Sequence, residues 1–272
     1  MNNILTLIKY NIRITRKTII GWITIISSIT FMYMILFPYI KDLATIKLNA
    51  MPKELLQLFK MDDFVSLGNY NDYYATMFNI ILIIASVFGC IYIGSIFNNE
   101  EKNKSIEFIY SLPITRSQIF IAKLITTTIV ITINIICFTI AAIICGFLVG
   151  KETFNLIQLL EATKASSLAI YFHSSISILI AGITIKYSSS LIGAIFVIFS
   201  YIIGYLSTLL KDKGEILSYF SPLETLSPKN IINQDSILFD PKIMTIMIVY
   251  TIIMFILIYI SYIYYKKRDL GN

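Results

Sequence analysis

Six stretches of the chain are apolar for about 20 residues or longer, enough to cross a bilayer as helices, and polar segments separate them. They run from Thr18 to Ile40, Tyr73 to Phe97, Ile119 to Val149, Ala165 to Ile185, Leu191 to Leu210 and Ile243 to Tyr265. The pattern predicts an all-α integral membrane protein with six transmembrane helices in one domain over residues 1–272. The third stretch is long enough to tilt or project beyond the bilayer, and Lys123 in its first turns is placed to snorkel to the headgroups. Trp22, Tyr33, Tyr39, Tyr73, Tyr74, Tyr264 and Tyr265 lie near span ends, as interfacial belts require.

The segment before the first span, residues 1–17, is amphipathic. Lys9, Arg13, Arg16, Lys17 and Thr6 share one side at helical spacing, while Ile4, Leu7, Ile8 and Ile12 occupy the other. Such a sequence predicts an interfacial helix with its cations at the headgroups, acting either as a retention anchor or as a helix that also touches a partner. The first span is expected to stay in the membrane, because its apolar run exceeds a signal-peptide core and no small-x-small site follows it.

Between the second and third spans lies the most informative polar segment, Asn98 to Gln118. From Asn99 to Tyr110 it has an N-cap candidate, acids in its first turn, and Ile106, Ile109 and Tyr110 at helical spacing. Pro113 cannot continue that helix. Thr115 and Gln118 have capping-box spacing for a new one, with Ile114 and Ile119 placed as a hydrophobic staple. The chain is therefore predicted to leave the membrane, form a short helix, turn and re-enter, presenting an element that a soluble partner can grip.

Charge fixes an orientation. With the N-terminus inside, 12 of the 22 Lys and Arg fall on short cytoplasmic stretches, and of 16 acids only Glu100, Glu101, Glu107 and Asp269 join them. The positive-inside rule then places both termini in the cytoplasm. The formal net charge of +6 needs no nucleic-acid partner, since orientation and anionic lipid account for it. Composition agrees: hydrophobic residues make up 57% and charged residues 14% of the chain, and the mean hydropathy is +0.77.

Of the external stretches, Lys41 to Asp72 has a candidate short helix from Pro52 to Phe59. Ser218 to Ile232 is half apolar, so it is expected to fold back onto the membrane domain. A near match to a phosphate-binding loop, Gly146 to Glu152, has the wrong glycine spacing and no hydroxyl after Lys151. Gly146 and Gly150 suit close packing instead. Cys90, Cys137 and Cys145 all fall within spans as packing residues, and His173 is expected to hydrogen-bond between helices. No Asp or Glu falls at mid-span, which argues against a proton- or sodium-driven carrier. Asn79, Asn134, Thr132, Phe138 and Phe199 are candidates for a path lined by soft polar and aromatic groups, each also explicable as packing.

Glu100-Glu101, Ser105-Ile106-Glu107, Ser111-Leu112-Pro113-Ile114-Thr115-Arg116 and Ala122-Lys123-Leu124 together resemble the ABC-2 type permease subunits of bacterial ATP-binding cassette exporters. In that family a glutamate-led helix after the second span ends in a Leu-Pro-x-Ser/Thr-Arg turn and continues towards a lysine near the start of the third. The C-terminal Tyr265-Lys266-Lys267-Arg268-Asp269-Leu270 is similar to the family's aromatic-basic ending, and Lys104 departs from it where many relatives have glycine.

The resemblance implies a multi-pass protein of the bacterial plasma membrane that pairs with a second permease subunit, identical or not. Glu100, Glu101, Ser105, Ile106, Glu107, Pro113, Thr115 and Arg116 would form a cytoplasmic coupling helix and its turn, offered to a separate ATPase that holds ATP and Mg. No cofactor is expected on this chain, and it is not an enzyme alone. The soft lining suggests a hydrophobic or amphipathic cargo such as a peptide antibiotic or other peptide. Sodium or lipid export, or a non-transporting scaffold or immunity role, are the alternatives.

Overall fold

A computed structural model describes residues 2–47, 68–98, 114–184, 188–210, 214–232 and 241–267, and these residues contain helices and no strand. The chain begins with α1 (Asn2–Ile35) and α2 (Phe37–Lys47). Then come α3 (Tyr70–Phe97), α4 (Arg116–Cys145), α5 (Leu156–Ile183) and α6 (Ser188–Leu209). Three short helices follow, α7 (Glu215–Ser218), α8 (Pro222–Thr225) and α9 (Pro228–Ile232), before α10 (Pro241–Lys267). Six helices are long and apolar enough to cross a membrane. The candidate helix from Pro52 to Phe59 lies outside the described residues.

The amphipathic segment 2–17 is helical and runs on into the first span as the first half of α1, a helix of 34 residues. At about 1.5 Å per residue such a rod exceeds a hydrocarbon core of about 30 Å. No proline interrupts it, and Ile8, Ile19, Ile26 and Met34 form one buried stripe along its length. The break falls at Leu36 instead, because Pro38 in the first turn of α2 has no N–H to continue the ladder.

Contacts fix an alternating up-and-down order. Tyr92 of α3 meets Thr15 of α1 with hydroxyls 3.1 Å apart, and at the other end the Tyr73 hydroxyl donates to the Tyr33 carbonyl at 2.7 Å. These two helices are therefore antiparallel. The Tyr74 and Thr163 hydroxyls are 2.7 Å apart, and the Ser177 hydroxyl donates to the Cys90 carbonyl, which sets α3 and α5 parallel. The core centres on α3, which buries side chains on more than one face, among them Tyr73, Phe78, Phe88 and Cys90.

Local chemistry sets the ends. Asn69, Thr115 and Asn155 cap α3, α4 and α5 with their side chains. Asn155 moves the start of α5 upstream to Leu156, because capping and packing carry the helix past Glu161, Thr163 and Lys164, where hydropathy is low. After Cys145, α4 widens into a π-helical turn, Gly146–Gly150. Rings fill the space that side chains would need there: Phe154 lies against Gly146 and Tyr70 against Gly150. The Tyr70 hydroxyl also donates to the Ala142 carbonyl at 2.6 Å.

The segment 214–232 folds into the bundle, as its apolar character suggested. Ser221, Leu223, Leu226, Ser227 and Ile231 are buried, and the Ser227 hydroxyl donates to Asn79 Oδ1 at 3.0 Å. The Tyr250 hydroxyl holds this segment from α10 by donating to the Tyr219 carbonyl at 2.9 Å.

Candidate functional site

The first turns of α4 organise the end of the bundle where α3 stops and the segment 99–113 departs. Thr115 forms the complete capping box: its hydroxyl accepts from the Gln118 N–H, and Gln118 Oε1 accepts from the Thr115 N–H at 3.0 Å. With its N-terminus so fixed, α4 directs two cations at two other helices.

Arg116 donates from Nη1 to the carbonyl of Lys266, in the last turn of α10, at 3.2 Å. Lys123, two turns further along, donates from Nζ to the carbonyl of Phe97, the last residue of α3, at 3.1 Å. Each cation therefore meets the negative end of a helix dipole at a carbonyl of the helix's last turn. The expectation that Lys123 snorkels is corrected, for it is only 1% exposed. Its stem turns inward because aromatic rings await it. The ammonium lies 5.5 Å from the Phe97 ring centroid and 5.8 Å from that of Tyr265.

Phe120 completes the cluster, with ring centroids 5.7 Å from Phe97, 5.3 Å from Tyr265 and 5.5 Å from Tyr262. The Ser117 and Tyr262 hydroxyls are 2.9 Å apart. Sequence reasoning missed Ser117, Phe120, Tyr262 and the inward role of Lys123. The signal was a lysine two turns into an apolar helix, in a chain whose end is aromatic and basic. Of the residues proposed for ATPase coupling, Thr115 and Arg116 lie in this cluster. Glu100, Glu101, Ser105, Ile106, Glu107 and Pro113 lie outside the described residues.

Asn79, Thr132, Asn134, Phe138 and Phe199 have different surroundings. Asn79 is bonded to Ser227. Thr132 donates to the Thr128 carbonyl and meets the Tyr171 hydroxyl, both at 2.7 Å. Phe138 is buried against Phe78, with centroids 5.5 Å apart. Asn134 is 2% exposed, and both polar atoms of its side chain lack a hydrogen-bond partner. Phe199 faces outward, 57% exposed, beside Phe196 and Ile202 on α6.

His173 is corrected from an interhelical bond to one within its own helix, where Nδ1 lies 2.7 Å from the Ala169 carbonyl. Cys90, Cys137 and Cys145 are free thiols. Among the described residues no group of three or more His, Cys, Asp or Glu could hold a metal ion. Charge is polarised along the bundle. Among the described residues Asp42, Asp72, Glu152 and Glu161 lie at the end opposite the Lys123 cluster together with Lys41, Lys151 and Lys164, whereas Lys9, Arg13, Arg16, Lys17 and Arg116 lie towards the cluster without a described acid.

The site's means are hydrogen bonds, helix dipoles and ring faces, which suit the joining of helices. A family model described as an ABC-2 family transporter protein matches residues 5–270. No curated protein matches the chain.

Proposed function

The chain belongs to the ABC-2 family of transporter membrane proteins, and from that premise we propose that it is the permease subunit of an ATP-driven exporter. Membership makes it a multi-pass membrane component that is not itself the ATPase and that associates with an ABC ATPase subunit. The match over almost the whole chain is the observation that carries the reading.

In this reading the segment 99–113 is a coupling helix and turn on the cytoplasmic side, and Glu100, Glu101 and Glu107 meet basic groups of the ATPase. Two permease subunits pair, and closure of the ATP- and Mg-loaded ATPases draws the two coupling helices together. ATP can shift the conformations only by contacting the two states differently, and this segment makes that contact. The cations Lys9, Arg13, Arg16, Lys17 and Arg116 at one end of the bundle support a cytoplasmic placement of both termini, and the membrane is a bacterial plasma membrane. The cargo is a hydrophobic or amphipathic compound such as a peptide. Acids in the described spanning helices are confined to their ends, which disfavours sodium as the cargo.

Loss of one partner from a buried charged contact costs about 2–5 kcal/mol, and replacing Pro113 lets the two helices merge or misalign. The Glu107→Lys and Pro113→Ala variants, at matched membrane levels, are therefore expected to lose co-purifying ATPase or transport-linked hydrolysis. Wild-type behaviour of both variants in both assays would remove the coupling assignment.

A further inference from the structure

Resting on the reading of 99–113 as the ATPase-contacting lever, we propose that Lys123 is a positioning residue that locks the ends of α3, α4 and α10 into one rigid joint. Force entering at the lever then moves three membrane helices together.

A lysine that reached solvent would hold nothing in place. Lys123 is buried, and an ammonium is stranded at high cost unless its hydrogen-bond and electrostatic demands are met locally. The Phe97 carbonyl and the Phe97 and Tyr265 rings meet demands of both kinds from two different helices. Separation of α3 from α4, or of α10 from either, therefore uncovers a cation.

The position of the tie matters as much as its strength. Phe97 ends α3 immediately before the lever, and Thr115 begins α4 immediately after it. The bond from Lys123 to Phe97 thus closes the lever's base, so the lever cannot tilt one flanking helix without the other. Arg116 and Ser117 pin the last turns of α10 to the same base through Lys266 and Tyr262. From there α10 reaches the fourth span, because the Ser261 hydroxyl donates to the Ile178 carbonyl of α5 at 2.8 Å. A lever attached only to its own two helices would leave α5 and α10 to follow passively.

The test places spin labels at Ser95 near the end of α3 and at Tyr264 on α10, both exposed, in the full chain reconstituted in lipid nanodiscs. Electron–electron distances are measured without nucleotide and with the partner ATPase trapped by ATP and vanadate. The wild type is expected to show the same single narrow distribution in both conditions. Lys123→Met, which keeps the stem and removes the donor, is expected to broaden or shift it, and Lys123→Arg to restore it. Tyr265→Leu, which removes only a ring, provides a second route should Lys123→Met fail to fold. A wild-type distance that changes on trapping, or wild-type distributions in both Lys123→Met and Tyr265→Leu, would overturn the joint. Failure of any ATPase to associate with the wild type defeats the lever reading instead, and the nucleotide-free comparison still decides the joint.

Discussion

Ser261 on α10 fills the space that a side chain on Gly182 of α5 would need: the bare Cα of Gly182 faces the hydroxyl and backbone of Ser261, whose Oγ donates to the Ile178 carbonyl one turn back. Helices in a bilayer gain little from hydrophobic exclusion, so close approach through small residues with a hydrogen bond across the contact is how they adhere.

Gly182→Val is accordingly expected to force α5 and α10 apart, at a cost of at least about 1–3 kcal/mol as in other overpacked cores. Thermal unfolding of the purified protein in detergent should show a lowered midpoint. Gly21→Ala serves as the control, since a methyl group there meets nothing within 4 Å. An unchanged midpoint for Gly182→Val would mean that the contact is not maintained.

Tyr70→Phe removes one hydroxyl and leaves the ring that covers Gly150. The Ala142 carbonyl then loses its side-chain donor at the entry to the π-helical turn, at an expected cost of about 1 kcal/mol. A modest fall in the same unfolding midpoint, with transport intact, is the expected outcome.

Asn134 separates packing from transport. Both of its polar atoms are buried without partners, so Asn134→Leu should leave stability unchanged or raise it by about 1 kcal/mol or more. If the side chain also lines the cargo path, transport should fall while stability does not. Equal transport by variant and wild type would remove Asn134 from the path.

Orientation is testable by labelling. In a background lacking Cys90, Cys137 and Cys145, a cysteine introduced at Lys104 or Asp269 should react with a membrane-impermeant maleimide only after the cells are opened. Reaction in intact cells would invert the topology.

Much of this architecture was legible because its causes are local. Six apolar runs became six spanning helices, and Thr115 with Gln118 became the capping box their spacing announced. The half-apolar stretch from Ser218 to Ile232 folded inward because an extramembrane loop has little use for Leu223, Leu226 and Ile231. What escaped the sequence depends on partners distant in the chain. Lys123 was expected to reach the headgroups, since nothing near it reveals that Phe97 and Tyr265 would surround it. The unity of α1 was hidden by its change from basic to apolar, a change of surroundings that leaves the backbone helical. His173 was assigned a partner across helices, while the carbonyl one turn back was nearer. For the candidate site, the acids of the segment 99–113 are conspicuous in sequence, whereas the aromatic seat of Lys123 emerges only when the start of α4 meets the end of α10.

The burial of Lys123 also bears on how the molecule is made. More than half the chain separates Lys123 from Tyr265, so α4 enters the membrane long before the ring that completes its lysine's seat has been synthesised. Until α10 arrives, the newborn protein carries an incompletely covered ammonium, and finishing translation supplies the missing wall. A chain stopped at Ser261 keeps that charge open to the proteases that survey membranes, and in a pulse-chase comparison it should disappear faster than one stopped at Lys267. Equal lifetimes would show that the cation does not mark unfinished copies.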